Sequence, residues 1–217
     1  MLGARATEPS TLGQYDEETI RDMHPMGRMG QPADVGEAAV RELTAEGGSA
    51  SFVVADVDSQ ESITDLFDSV MREFGRLDYA VNNAGLAHET KTIVEADPVK
   101  FQEMLSTNVM GLFLCMQREI KEMLDSGRGG AIVNLASIVG LNGIPFSGPY
   151  AATKHAVVGL TKTAGIEYSG QGVRVNAVAP GAIKTDIIAR AMAAITAVAC
   201  GSLHVRSISS ATDSVSL

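Results

Sequence analysis

Four short apolar runs, residues 51–55, 77–81, 131–136 and 173–178, are separated by longer stretches whose apolar residues return every three or four positions. The short runs predict buried strands and the longer period predicts helices. Ser59 stands where an N-cap belongs, Ile63, Leu66, Phe67, Val70 and Phe74 share a core-facing side beyond it, and Gly75 stops the helix. Asp97 followed by Pro98 marks another start. The helix after it carries Phe101, Met104, Leu105, Leu112 and Met116, placed as core or subunit-interface residues. A third helix is predicted from Gly148 to about Tyr168, with Ala151, Val158, Leu160 and Ile166 available for packing. Upstream, residues 16–23 predict a short helix with acids in its first turn, and another begins at about Pro32 with Val35, Ala38, Ala39 and Leu43 on one face. Residues 1–11 lack any period and read as a loose tail. Residues 191–217, serine-rich from Ser202 and low in charge, read as disordered.

Within this pattern a few positions carry chemistry. Ser137 ends the run 131–136, at the carboxyl edge of a presumed sheet, where open α/β folds bind ligands. Tyr150 and Lys154 lie four apart on a helix and share a face. An ammonium about 4 Å from a phenolate interacts with it by roughly 4 kcal/mol at an effective dielectric of ~20, an upper bound of about three pK units on a phenol that ionises near ~10. Lys154 is therefore expected to lower the pKa of Tyr150 toward neutrality and make it a proton donor and acceptor. Asn82 to Gly85 form a tight turn after the second run, and Gly85, lacking a β-carbon, lets a ligand approach the backbone. Asn108 sits mid-helix, a poor place for asparagine by propensity. Residues 141–146 point to an apolar pocket. His88 and His155 have no carboxylate or cysteine at metal spacing, so no metal site is predicted.

Composition narrows the classes. At 217 residues, 45% of them apolar, one domain with a real core is expected over residues 1–190. The net charge of −9 argues against nucleic acid or an anionic membrane as partner. Cys115 and Cys200 make no disulfide framework, and Cys115 reads as a buried apolar filler. No run is long enough to span a bilayer and the first residues lack a secretion-signal pattern, which predicts a cytoplasmic protein.

Taken together, Asn82 to Gly85, Asn108, Ser137, Tyr150, Lys154 and the loop from Pro180 to Thr185 resemble the short-chain dehydrogenase/reductase family, in that family's order from about Arg41 to Arg190. The resemblance implies an α/β Rossmann-type fold, a doubly wound parallel sheet in three αβα layers, and NAD(P)-dependent hydride transfer between an alcohol and a ketone. It implies Asn108, Ser137, Tyr150 and Lys154 as catalytic residues, with Asn108 holding a water in a proton relay. It places Asp56 and Val57 on the adenine, and Asn83, Ala84 and Gly85 beside the ribose. Tyr150, Lys154, Pro180, Gly181, Ile183 and Thr185 then flank the nicotinamide end of NAD or NADP. A small alcohol or ketone is the implied substrate, and pairing of the helices that hold Asn108 and Tyr150 makes a homo-oligomer possible.

The match is incomplete. Residues 15–40 resemble the family's carboxyl-terminal substrate lid, standing here ahead of the rest. The Gly-rich strand-turn-helix that holds the cofactor pyrophosphate in the family has no counterpart. Gly27, Gly30 and Gly36 have the wrong spacing and read as loop glycines. The expectation is an incomplete sheet of four strands, with the 51–55 run paired to the 77–81 run or frayed, and weakened cofactor binding. The alternative is a non-catalytic relative that at most associates with other subunits.

Overall fold

The computed structural model describes residues 32–88 and 91–181. The expectations for residues 1–31, for Ile183 and Thr185, and for residues 191–217 lie outside these. The chain divides into two compact units between Asp56 and Val57.

The first unit contains helix α1, Pro32–Ala45. Gly36 belongs to this helix and not to a loop; a β-carbon there would fall 2.2 Å from the Phe52 ring. The expected apolar face is not buried, since Leu43 is 51% exposed. Residues 51–55 run without ladder pairing and are not the predicted strand. The described part of this unit holds no second strand, and an extended segment becomes a strand only when its N–H and C=O groups find a ladder.

In the second unit the local signals act as predicted. Ser59 Oγ accepts from Ser62 N at 3.2 Å and opens α2, Gln60–Phe74; Gly75, at φ 68°, closes it. Its buried face is Ile63, Leu66 and Phe67, whereas Phe74, expected inward, is exposed. Strand β1, Tyr79–Asn82, follows. Asp97 accepts from Val99 N at 2.9 Å and opens α3, Pro98–Leu105. The helix then widens into a π-turn, Ser106–Gly111, before α4, Leu112–Asp125. Strand β2, Gly130–Leu135, leads through a 3₁₀ turn, Ile138–Gly140, to α5, Gly148–Tyr168. A second 3₁₀ turn, Ser169–Gln171, leads to β3, Val173–Val178.

The sheet is parallel in the order β1-β2-β3, with Asn82 opposite Asn134 and Leu135 opposite Val178. It therefore has three strands among the described residues, not four. Met116, Ile120 and Met123 of α4 meet Ile132 of β2, Val157 and Ala164 of α5, and Val173 and Val175 of β3 in one core. Cys115 fills a smaller cluster with Ile63 and Phe67, and burial pushes its thiol up to about 12, which makes it inert filler. Ile166, available for packing by its spacing, points outward. Among the described residues no helix is long and apolar enough to cross a membrane.

Candidate active site

Parallel strands present their carboxyl ends along one edge, so the residues that leave β1, β2 and β3 are neighbours. Ala136 N bonds Val178 O at 2.8 Å and Ile138 N bonds Pro180 O at 3.0 Å, which lays the segment around Ser137 alongside the Pro180–Gly181 exit of β3. Ser137 itself is extended, and its Oγ accepts weakly from Val139 N at 3.4 Å.

Opposite Ser137 stands the first turn of α5. The Tyr150 phenol stands near enough to the Ser137 hydroxyl for that hydroxyl to favour its ionised form. Burial raises the pKa of Tyr150 above the ordinary phenol value, and the Ser137 hydroxyl, able to donate to a phenolate, only partly opposes this. The expectation that Lys154 depresses Tyr150 is thus corrected. Lys154 Nζ donates to the Leu135 carbonyl at 2.7 Å and lies over the Tyr150 ring, 5.7 Å from its centre. Lys154 is buried, and burial brings its ammonium down to about 8.

Asn108 lies in the π-turn, 2% exposed. An inserted residue of this kind shifts the helix face and re-aims side chains. Its Oδ1 accepts from Leu86 N at 2.6 Å; its Nδ2 donates to Leu86 O at 2.8 Å and to Thr153 Oγ1 at 3.1 Å. Thr153 in turn donates to Tyr150 O at 2.8 Å. The turn after β1, with Asn83, Ala84 and Gly85, is thereby held against α5. A β-carbon on Gly85 would lie 3.3 Å from Asn108 Oδ1 and 3.6 Å from Lys154 Nζ, so the turn offers bare backbone at this point.

The fold therefore gathers Asn83 to Gly85, Asn108, Ser137, Tyr150, Lys154, Pro180 and Gly181. Val57 packs close to the π-turn, its carbonyl 2.7 Å from where a β-carbon on Gly111 would stand. Asp56 belongs to the other unit. His88, read from sequence as having no carboxylate or cysteine at metal spacing, has Nε2 2.9 Å from Glu103 Oε2, fifteen residues on. Even so, no group of three or more metal-type ligands occurs among the described residues.

Several contributors escaped the sequence reading. Leu86 and Leu135 act through their main chain, and no side-chain pattern reports that. Thr153 is fully buried beside Tyr150. Glu119 is a carboxyl on the buried apolar face of α4, a mismatch that spacing from Met116, Ile120 and Met123 could have revealed. Phe146 takes φ 63° in the loop before α5, a strained conformation for a bulky residue.

Comparison with known proteins adds to this geometry. A model of short chain dehydrogenases matches residues 26–195. A 2,5-dichloro-2,5-cyclohexadiene-1,4-diol dehydrogenase of Sphingobium indicum is 40% identical over 159 residues, which are 73% of this chain and 62% of the relative. The structure of ElxO with NADP bound is 38% identical, with a TM-score of 0.66 over 75% of this chain and 65% of that one. NAD+-bound xylitol dehydrogenase is 30% identical, with a TM-score of 0.72 over 78% of this chain and 65% of that one. The chain thus spans somewhat less than two thirds of each of these proteins.

Proposed function

This chain belongs to the short-chain dehydrogenase family, with its Rossmann-type α/β fold, and from that premise we propose that it interconverts a small alcohol and its ketone using NAD or NADP. The observation that carries the reading is the convergence of three side chains, with the Ser137 hydroxyl near the Tyr150 phenol and Lys154 over the phenol ring from one turn along the same helix.

Each residue has a role that follows from its position. The two hydroxyls, Ser137 and Tyr150, converge from different elements and can hold one substrate oxygen between them. Burial keeps the phenol protonated at neutral pH, so Tyr150 can give its proton to a ketone oxygen as that oxygen becomes negative, and take it back in the reverse direction. Ser137 steadies the developing charge as a preorganised donor. Lys154, near the middle of its titration at about pH 8, can return a proton toward Tyr150, and Asn108 holds Thr153 and the Leu86 main chain in place around it.

A nicotinamide cofactor, when bound, supplies or accepts the hydride. Bare backbone at Gly85 beside the Lys154 ammonium fits its nicotinamide-ribose end, and Asn83, Ala84, Pro180 and Gly181 are proposed for the same end. Ile183 and Thr185 are proposed for the same end. The two structural neighbours hold NADP and NAD+ respectively, so neither cofactor is preferred here. The sequence has no Gly-rich motif of the family's pyrophosphate-binding kind, which supports a weakened cofactor site in a chain of these 217 residues.

The test is turnover of a carbonyl panel with NADH and with NADPH, comparing the chain with Tyr150→Phe. Turnover lost in the variant supports the reading. A chain that binds neither cofactor and turns over nothing is the non-catalytic relative.

A further inference from the structure

A row of polar side chains crosses the core beneath the site. Asn82, the last residue of β1, uses both hydrogens of its Nδ2, one on Glu119 Oε2 at 2.9 Å and one on Asn134 Oδ1 at 3.0 Å. Asn134 donates onward to Thr161 Oγ1 at 2.9 Å, and Thr161 donates to Val157 O at 2.7 Å. Glu119 and Asn134 are almost wholly buried, 1% and 0% exposed. The row joins α4, β1, β2 and α5. Those elements carry or lead into Asn108, the 83–85 turn, Ser137, and the Tyr150–Lys154 pair.

Packing alone does not call for a carboxyl at 119. Leu112, Cys115, Met116, Ile120 and Met123 occupy the same buried face, and a leucine there would cost nothing in desolvation. Asn82 is the residue that Glu119 touches, and the next residue begins the turn that Asn108 grips from its far side through Leu86.

We propose that Glu119 is a positioning residue for the 83–85 turn: by accepting from Asn82 it fixes the end of β1, and a change in its charge moves the turn. The bearing of this on cofactor binding rests on the function proposed above. The groups that β1, β2 and α5 bring to this row are neutral: Asn82, Asn134 and Thr161. The titratable neighbours are Cys115, one turn back on α4, and, beside the turn itself, Lys154 of α5, brought down to about 8. From α2, Asp68 is engaged by Arg118 at 2.6 Å. Burial raises Glu119 to about 7, the Asn82 bond opposing it. As a carboxylate it is acceptor only; once protonated, one oxygen becomes a donor and its hold on the Asn82 amide weakens.

The experiment follows the whole chain by NMR from about pH 5 to about pH 9, reading the Glu119 side-chain carboxyl carbon, the Asn82 side-chain amide and the main-chain amides of Asn83, Ala84 and Gly85. In the wild type the Asn82 side chain and the amides of Asn83 and Ala84 are expected to share the midpoint of the Glu119 carboxyl near 7, whereas Glu119→Gln loses that step and keeps only the later one near 8 that Lys154 imposes beside Gly85. Turn amides that ignore the Glu119 carboxyl, or that keep the step near 7 in the variant, overturn the proposal. The wild-type titration decides the point even if the variant does not fold. NADH added at each end of the range separates the two readings. Co-titrating amides without NADH binding uphold the positioning role and count against the cofactor. NADH binding with a turn deaf to Glu119 does the reverse.

Discussion

Asn108 and Leu86 are bonded to each other twice. The side-chain oxygen accepts from the Leu86 amide at 2.6 Å and the side-chain nitrogen donates to the Leu86 carbonyl at 2.8 Å. One amide side chain thus replaces a strand neighbour for a loop residue 22 positions away, and does so from a helix that has to widen to present it.

Truncating this side chain removes both partners of Leu86 and one of Thr153. Asn108→Ala is expected to destabilise the chain by about 2–4 kcal/mol, since buried groups left unpaired cost about 1–3 kcal/mol each. Urea denaturation would show a lower midpoint at unchanged slope.

Lys154 gives stability a pH dependence on the alkaline side. Its folded pKa is about 8 against an ordinary 10.5, so the unfolded chain holds the proton more tightly. Its destabilising effect is complete below pH 8 and fades as pH rises toward 10.5. Lys154→Met is expected to be the more stable protein at neutral pH by about 2 kcal/mol: roughly 3 from relieved desolvation, less about 1 for the lost bond to Leu135. The gap should close in strongly alkaline buffer, as denaturation at both pH values would show, while turnover is abolished.

Glu119 acts in the acid-to-neutral window with the opposite slope. Its folded pKa of about 7 exceeds the ordinary 4.5, so the folded chain holds this proton more tightly. Stability therefore falls as pH rises from 4.5 through 7 and is level beyond. Glu119→Gln keeps an acceptor for Asn82 and cannot ionise. The variant should match the wild type in acid and exceed it above neutrality by up to about 3 kcal/mol. Denaturation midpoints across the range measure this.

Gly140 packs directly on the active-site helix: a β-carbon there would lie 2.7 Å from the Lys154 carbonyl oxygen and 2.8 Å from its carbon. Both are backbone atoms and cannot rotate away. Gly140→Ala is expected to cost about 1–3 kcal/mol and to displace Lys154, lowering kcat more than it raises KM. Thermal unfolding and steady-state kinetics check the two parts.

For this 217-residue chain, cofactor affinity is expected to be poor. Two or three charge-assisted bonds to pyrophosphate, at roughly 1.5–3 kcal/mol each, have no donor loop in the sequence. Their loss amounts to about 4–8 kcal/mol, a thousandfold or more, placing dissociation in the millimolar range or weaker. Fluorescence titration with NADH and NADPH measures it. A constant near or below ~10 μM would mean that the phosphates have found another anchor.

Much of the fold was legible from local text. The helix Gly148–Tyr168 and the strand Val173–Val178 lie where the apolar pattern places them, and Ser59 and Asp97 cap the helices they precede. The family motifs were equally readable, and the fold brings most of their residues to one sheet edge. The 51–55 run failed as a strand despite its apolar text, because pairing belongs to a partner and is not written in the run itself.

The sequence by itself determined most of the elements, their order and the family, because period, caps and stop glycines act between residues a few positions apart. Only the tertiary structure decided the electrostatics. Tyr150 and Lys154 share a helix face as their spacing requires, yet the ammonium goes to the Leu135 carbonyl, 19 residues away, and burial lifts the phenol where charge pairing alone would lower it. The same holds for Glu119, whose partner Asn82 is 37 residues distant. Spacing sets which side chains can meet; the cost of removing them from water, and the carbonyls and amides that offset it, exist only once the core has closed.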